Sequence, residues 1–238
     1  MDDQTRPLDP ANPAAIEAAV RLHGALLPDS PVSRLGPAFM RWFYYRTLVQ
    51  DKLVCCDLSY VGGAPAGFIA YTKYSSDFMA LGFRRHWLHL AGVMGVAALR
   101  HPPVVREVLR VVSLMLRRKQ QAARVVQGEI LSFGVLPEYR SVEFVRRTGW
   151  RISLELYERA KKYFQDEGVP SFRMLVQAEN RETLLFYSAL GCQLCKEPGG
   201  DPKTVQVIYT FEGAGERGPA GSAASGSAEG CKVLRPVS

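Results

Sequence analysis

Two segments of the chain combine residue types and spacings that could do chemistry. The first runs Glu129-Ile-Leu-Ser-Phe-Gly-Val-Leu-Pro-Glu-Tyr-Arg140 and continues through Arg146-Arg-Thr-Gly149-Trp-Arg151 into a helical pattern. A strand that leads through a turn bearing Arg and Gly into a helix aims unpaired backbone N–H groups and a positive dipole end at one place. A pyrophosphate suits that place. Arg146, Arg147 and Arg151 add charge-assisted donors, and Gly149 removes a side chain where a phosphate must approach the backbone. An ordinary strand-to-helix turn with a solvated basic face carries the same local signature, so the second segment matters. Leu175-Val-Gln-Ala-Glu-Asn180-Arg-Glu-Thr-Leu-Leu-Phe186-Tyr187-Ser-Ala-Leu-Gly191 reads as a strand, an Asn at its end, a short helix presenting Phe-Tyr, and a Gly stop.

The elements that must hold these segments follow from periodicity. Asp9 or Asn12 can cap a first helix with Pro13 in its first turn. Ile16, Ala19, Val20, His23 and Leu27 share one face, and Pro28 and Pro31 end it. A second helix fits Leu35 to Val49. The period then changes to two short strands, Leu53 to Tyr60 and Ala66 to Tyr74, joined through Gly62-Gly63. A strong strand spans Val126 to Leu136 and a helix Arg151 to Glu167, followed by a strand from Phe172 to Ala178. A short helix from Glu182 to Leu190 and strands at Cys192 to Lys196 and Thr204 to Phe211 complete the pattern. This order predicts an α/β fold whose mixed sheet carries helices on both faces, with residues 1–212 as one domain. Residues 213–238 are rich in Gly, Ala, Ser and Pro and read as a disordered tail.

With 238 residues, of which 47% are hydrophobic, the chain can bury a sizeable core. No apolar run reaches the roughly 18–20 residues that a spanning helix needs. The N-terminus lacks a signal-peptide pattern, and the five cysteines are odd in number and unevenly spaced, so the expected setting is cytoplasmic. Cys192 and Cys195 lack a second ligand pair and read as a buried structural pair; His86, His89 and His101 have no acidic cluster, and no metal is expected. The formal net charge of +7 favours anionic partners. It is concentrated in a connection from about Ser75 to Val125, where nine basic residues between Arg84 and Arg124 face Glu107 alone. Apolar residues there suit two amphipathic helices broken at His101-Pro102-Pro103. No recognition-helix or aromatic RNA-binding pattern accompanies the charge, which argues against nucleic acid.

Val176, Asn180, Phe186, Tyr187 and Gly191 reproduce, at the same intervals, a pattern carried by the GNAT superfamily of N-acetyltransferases, which the chain resembles over most of residues 5–212. Val135, Pro137, Arg140 and the Arg146–Arg151 stretch resemble that family's strand end and phosphate loop. Two features depart from it: about five or six extra residues near Ser141–Val145, and Arg151 in place of a small residue. The resemblance implies a GNAT-like three-layer αβα fold with residues 73–125 as a helical insert between strands 3 and 4. It also implies acetyl-CoA as co-substrate. Phe133, Gly134 and Val135 would lie along the pantetheine, with an N–H near Val135 polarising the thioester. Arg140, Arg146, Arg147, Thr148, Gly149, Trp150, Arg151 and Asn180 would complete the CoA site. Tyr187 matches the family's general acid and Glu129 the general base of its histone-type members, with Asp57 and Glu179 as weaker alternatives.

The expected activity is acetyl transfer to a primary amine of a small molecule by direct attack. Two other readings stand beside it: a long-chain N-acyltransferase fed by acyl carrier protein or acyl-CoA, and a non-catalytic CoA-binding module. The basic insert would offer an acidic carrier protein or an anionic membrane surface a docking site.

Overall fold

In a computed structural model of the chain, residues 3–75, 77–86, 126–195 and 203–212 are described. The basic connection beyond residue 86 and the tail from 213 lie outside them. A seven-stranded sheet runs in the order β1-β2-β3-β4-β5-β7-β6. Its strands are β1 (Gln4–Pro7), β2 (Cys55–Val61), β3 (Ala64–Thr72), β4 (Gly128–Val135), β5 (Ser171–Gln177), β6 (Gln193–Cys195) and β7 (Thr204–Thr210). Every neighbouring pair is antiparallel except β4 with β5. Gly62 and Gly63 both have positive φ, 57° and 82°, so the β2–β3 hairpin closes on the tight turn whose twist matches its strands.

One face of the sheet is covered by α1 (Pro13–Leu26), the short α2 (Pro31–Arg34) and α3. The last begins at Pro37–Phe39, widens into π geometry over Met40–Thr47 and closes at Leu48–Gln50. Asn12 caps α1 by accepting from the Ala14 and Ala15 amides at 3.0 and 3.2 Å. Tyr44, Tyr45 and Leu48 of α3 are fully buried there with Phe68 of β3. Residues 78–86 are helical (α4) and join the same core, with Phe83 stacked on Phe43 at 5.1 Å.

The other face carries α5 (Pro137–Arg140), α6 (Val142–Thr148), α7 (Ile152–Asp166) and α8 (Arg181–Ala189). Ile152, Leu156, Ala160 and Phe164 fall at helical spacing on α7 and are essentially inaccessible against Phe172 of β5. Gly128 lets these rings close over β4, because a Cβ there would sit 2.8 Å from both Phe164 Cε1 and Phe172 Cβ. Both residues are fully buried. Gly128→Ala is therefore expected to cost about 2 kcal/mol of stability, read from denaturant unfolding.

Three sequence expectations change. β1 was not foreseen, because four mostly exposed residues without alternation leave no periodic signal; its pairing with β2 alone defines it. The single helix expected over Leu35–Val49 is divided. Gly36, at φ 88°, ends the Ser30-capped α2, and Pro37 starts α3 afresh. The extra residues around Ser141–Val145 do not lengthen a loop; Ser141 caps them by accepting from the Phe144 amide at 3.2 Å, and they wind into α6.

A buried polar chain stiffens the first face. Ser33 Oγ donates to the Leu27 carbonyl (2.7 Å) and Ser30 Oγ to Ser33 Oγ (3.0 Å). His23 Nε2 must then donate to Ser30 Oγ (2.9 Å), and Nδ1 accepts from the Tyr45 hydroxyl (2.6 Å). His23 is fully buried and stacks on Phe68 at 5.4 Å.

Candidate active site

β4 is the strand on which the site is built. It pairs with β3 from Glu129 to Val135, but with β5 only through Gly128, Glu129 and Ile130, opposite Phe172, Arg173 and Met174. Beyond Ile130 the two parallel strands part. An extra residue, Leu131, sits between the Tyr71–Ile130 and Ala70–Ser132 pairs, and such a bulge bends the strand that carries it. The Leu136 amide donates to the Ala66 carbonyl of β3 at 2.9 Å, so by alternation the Val135 amide points to the opposite flank, where no β5 residue is registered.

Four aromatic side chains meet beside this opening. Phe133 of β4 lies with its ring 6.1 Å from Phe186 and 6.5 Å from Tyr187 of α8. Tyr157 of α7 approaches the same pair at 6.2 and 5.9 Å. Tyr187 is thus held by rings from three elements. Its burial, with the Cys192 thiol beside it, pushes the phenol well above its ordinary range and keeps it neutral. The Tyr157 hydroxyl is engaged differently, lying 3.3 Å from Cys192 Sγ.

The remaining expected binding residues are distributed as follows. Asn180 caps α8, accepting from the Thr183 amide at 3.1 Å, and Arg140 of α5 reaches Glu182 of α8 at 3.8 Å in an exposed pair. Gly134 packs against α1, where a Cβ would come within 2.9 Å of Leu26. Arg146, Arg147 and Thr148 are not loop residues: they form the last turn of α6, and Gly149, at φ 70°, is its left-handed terminus. Thr148 Oγ1 donates to the Phe144 carbonyl at 2.8 Å and accepts from the Trp150 amide. The Trp150 indole donates to Glu155. Arg151 stands at the N-cap of α7 and no side chain caps that helix, which leaves its first-turn amides for an external acceptor. The turn between the two helices is therefore only Gly149 to Arg151.

Glu129 lies on β4 directly beside Arg173 of β5, whose Nε and Nη2 donate to Oε2 at 3.3 and 3.1 Å. Both side chains are nearly buried. The Tyr44 hydroxyl, buried without a hydrogen-bond partner, has Ser132 and Glu129 as polar neighbours. Arg173 and Tyr44 were missed in the sequence. A lone Arg in an otherwise buried strand was the available signal, because such a charge demands a partner on the next strand. Asp57 accepts from the Tyr71 hydroxyl at 2.8 Å and from Arg159 at 2.9 Å. Glu179 is exposed.

Cys192 and Cys195 are both buried but do not bond to each other, and Cys192 is a free thiol. Among the described residues, His86 pairs with Asp51 at 2.9 Å, no group of three metal-ligating side chains gathers, and no helix is long and apolar enough to cross a membrane. His89 and His101 lie outside them.

A mixed sheet whose central parallel pair splays at a bulge, with helices on both faces, is the GNAT fold, and that is the fold of this chain. It is similar to the structure described as SsHAT, at TM-score 0.52 and 16% identity over 87% of this chain and 98% of that one. It is similar to a chain of the NatC complex bound to Gag peptide and CoA, at TM-score 0.51 and 17% identity over 89% and 99%. An acetyltransferase from Streptococcus agalactiae matches at TM-score 0.51 and 10% identity over 87% and 98%. No protein-family model matches the sequence, and no curated protein matches it at a significant level.

Proposed function

We propose that this chain is an acyl-CoA-dependent N-acetyltransferase that moves an acetyl group from acetyl-CoA to a primary amine of a small molecule by direct attack. The observation that carries the reading is the parting of β4 and β5 beyond Ile130 with Tyr187 seated against Phe133 at the opening. Acetyl-CoA fits what the opening offers. The β5-side edge of Phe133, Gly134 and Val135 can pair with an extended amide-bearing arm, and the uncapped start of α7 with Arg151 can take a pyrophosphate. Arg140, Arg146 and Arg147 lie on α5 and α6, which lead into that helix start, and Arg140 reaches Glu182 in the first turn of the helix that Asn180 caps. Acetyl-CoA supplies an activated acyl thioester. The Val135 amide is the oxyanion donor and the neutral Tyr187 phenol gives its proton to the departing sulfur. Glu129 receives the amine's proton, and the Arg173 guanidinium holds its carboxylate.

A second reading replaces the small amine by the α-amino group of a peptide, because one similar chain belongs to a complex holding a peptide and CoA. The carrier-protein and membrane readings rest on the basic insert of residues 73–125, of which 87–125 lie outside the described residues. Thiol release from acetyl-CoA, followed with a panel of small amines and of short peptides with unblocked N-termini, separates the two acceptor classes. Release that depends on a small amine is the expected result; release only with peptides selects the second reading, and none with either class removes both.

A further inference from the structure

A second opening lies on the other flank of α7, between that helix and the β1–β2 edge. It is a cleft of about 420 Å³ whose lining combines the apolar Leu8, Val49 and Val54 with the charged Lys52, Asp57, Arg159 and Lys162. Most of its charges are already matched. Asp57 holds Arg159, and Lys162 reaches Asp166 of its own helix at 3.0 Å. Lys52 has no ion pair among the described residues, so the lining carries one surplus positive charge. Arg159 Nε is also buried without a hydrogen-bond partner where the cleft meets α7.

The backbone of Lys52 makes that surplus significant. Three helices end in the same pair of hydrogen bonds. Lys52 N donates to Val49 O and Leu53 N to Leu48 O; Gly168 N donates to Gln165 O and Val169 N to Phe164 O; Gly191 N donates to Ser188 O and Cys192 N to Tyr187 O. That motif places its terminal residue in left-handed conformation, where a Cβ is strained. At φ 66° and 80° the other two termini use glycine, whereas Lys52 keeps a side chain at φ 56°. It is the only non-glycine residue with positive φ among the described residues. Strain retained in the lining of a cleft, at a residue carrying an unmatched cation, points to a ligand that uses the cation.

We propose that this cleft binds a small amphipathic carboxylate, with Lys52 as its counterion and the Leu8, Val49 and Val54 wall against its apolar body. A monoanion matches the single surplus charge. A phosphate dianion would lose hydration for one cation and gain nothing from the apolar wall. The inference is independent of the acyltransferase reading.

Hexanoate, hexanamide and inorganic phosphate, titrated separately into the full chain and followed by amide chemical shifts, test it. Hexanoate is expected to bind with a dissociation constant on the order of 1 mM, shifting amides of residues 49–57 and 159–163. Hexanamide and phosphate should bind at least about tenfold more weakly, and saturating CoA should leave the hexanoate response unchanged. Lys52→Gly installs the residue the backbone prefers, so it should fold with an equal or higher melting temperature and weaken hexanoate at least about tenfold. Absence of saturable hexanoate binding, equal binding of hexanamide, tighter binding of phosphate, displacement by CoA, or full affinity in Lys52→Gly would each overturn the proposal.

Discussion

Tyr187→Phe is expected to lower turnover of acetyl-CoA with an amine by roughly 10²- to 10³-fold, with CoA affinity changed less than about twofold. The substitution removes one oxygen and leaves the ring, so contacts with Phe133, Tyr157 and Phe186 persist and the fold is unaffected. Burial keeps the Tyr187 phenol protonated, so it holds a proton for the leaving sulfur. Tyr157→Phe is the internal control. Its hydroxyl is engaged with the Cys192 thiol, and its loss should change turnover by less than about threefold. A Tyr187→Phe enzyme that keeps full turnover would take the acid role from this residue.

The second large effect is on stability. Burial lowers the His23 imidazole from its ordinary value of 6.5 to about 4. Protonation would place a second N–H against the Tyr45 hydroxyl, which now donates to Nδ1, and would bury an unpaired charge beside Phe68. The unfolded chain takes up this proton at higher pH than the folded chain does. The contribution is therefore fully present above the ordinary value and drains away as pH falls from about 6.5 to about 4. The loss over that window amounts to about 3 kcal/mol. Denaturant midpoints measured across the window should fall accordingly. His23→Gln, which cannot titrate, should be less stable at neutral pH and lack that part of the acid slope. A His23→Gln profile parallel to the wild type would assign the slope elsewhere.

Much of this architecture was legible in the sequence because its elements carry strong periodic or terminal signals. The helix from residue 152 was marked by apolar residues three and four apart and a Gly-Val-Pro stop, and the observed Ile152–Asp166 matches. The Val176 to Gly191 spacing located Phe186 and Tyr187, and their meeting with Phe133 follows once β4 and β5 are neighbours. What could not be read depended on tertiary contact. β1 has no core of its own and exists only through β2. Arg146 and Arg147 looked like loop cations, whereas Ser141 and Gly149 enclose them in a two-turn helix. The Glu129–Arg173 pair joins residues 44 positions apart, and spacing along the chain does not reveal a register between parallel strands. Lys52 sits where local propensity favours glycine, and that conflict is visible only once its dihedral is known.

The central claim is that the splayed β4–β5 edge and the start of α7 form one CoA site. Calorimetric titration of the full chain with CoA addresses it most directly. One saturable site per chain, weakening as ionic strength rises because a pyrophosphate meets a basic helix start, is the result the account predicts. A folded protein that releases no saturable heat with CoA would contradict it.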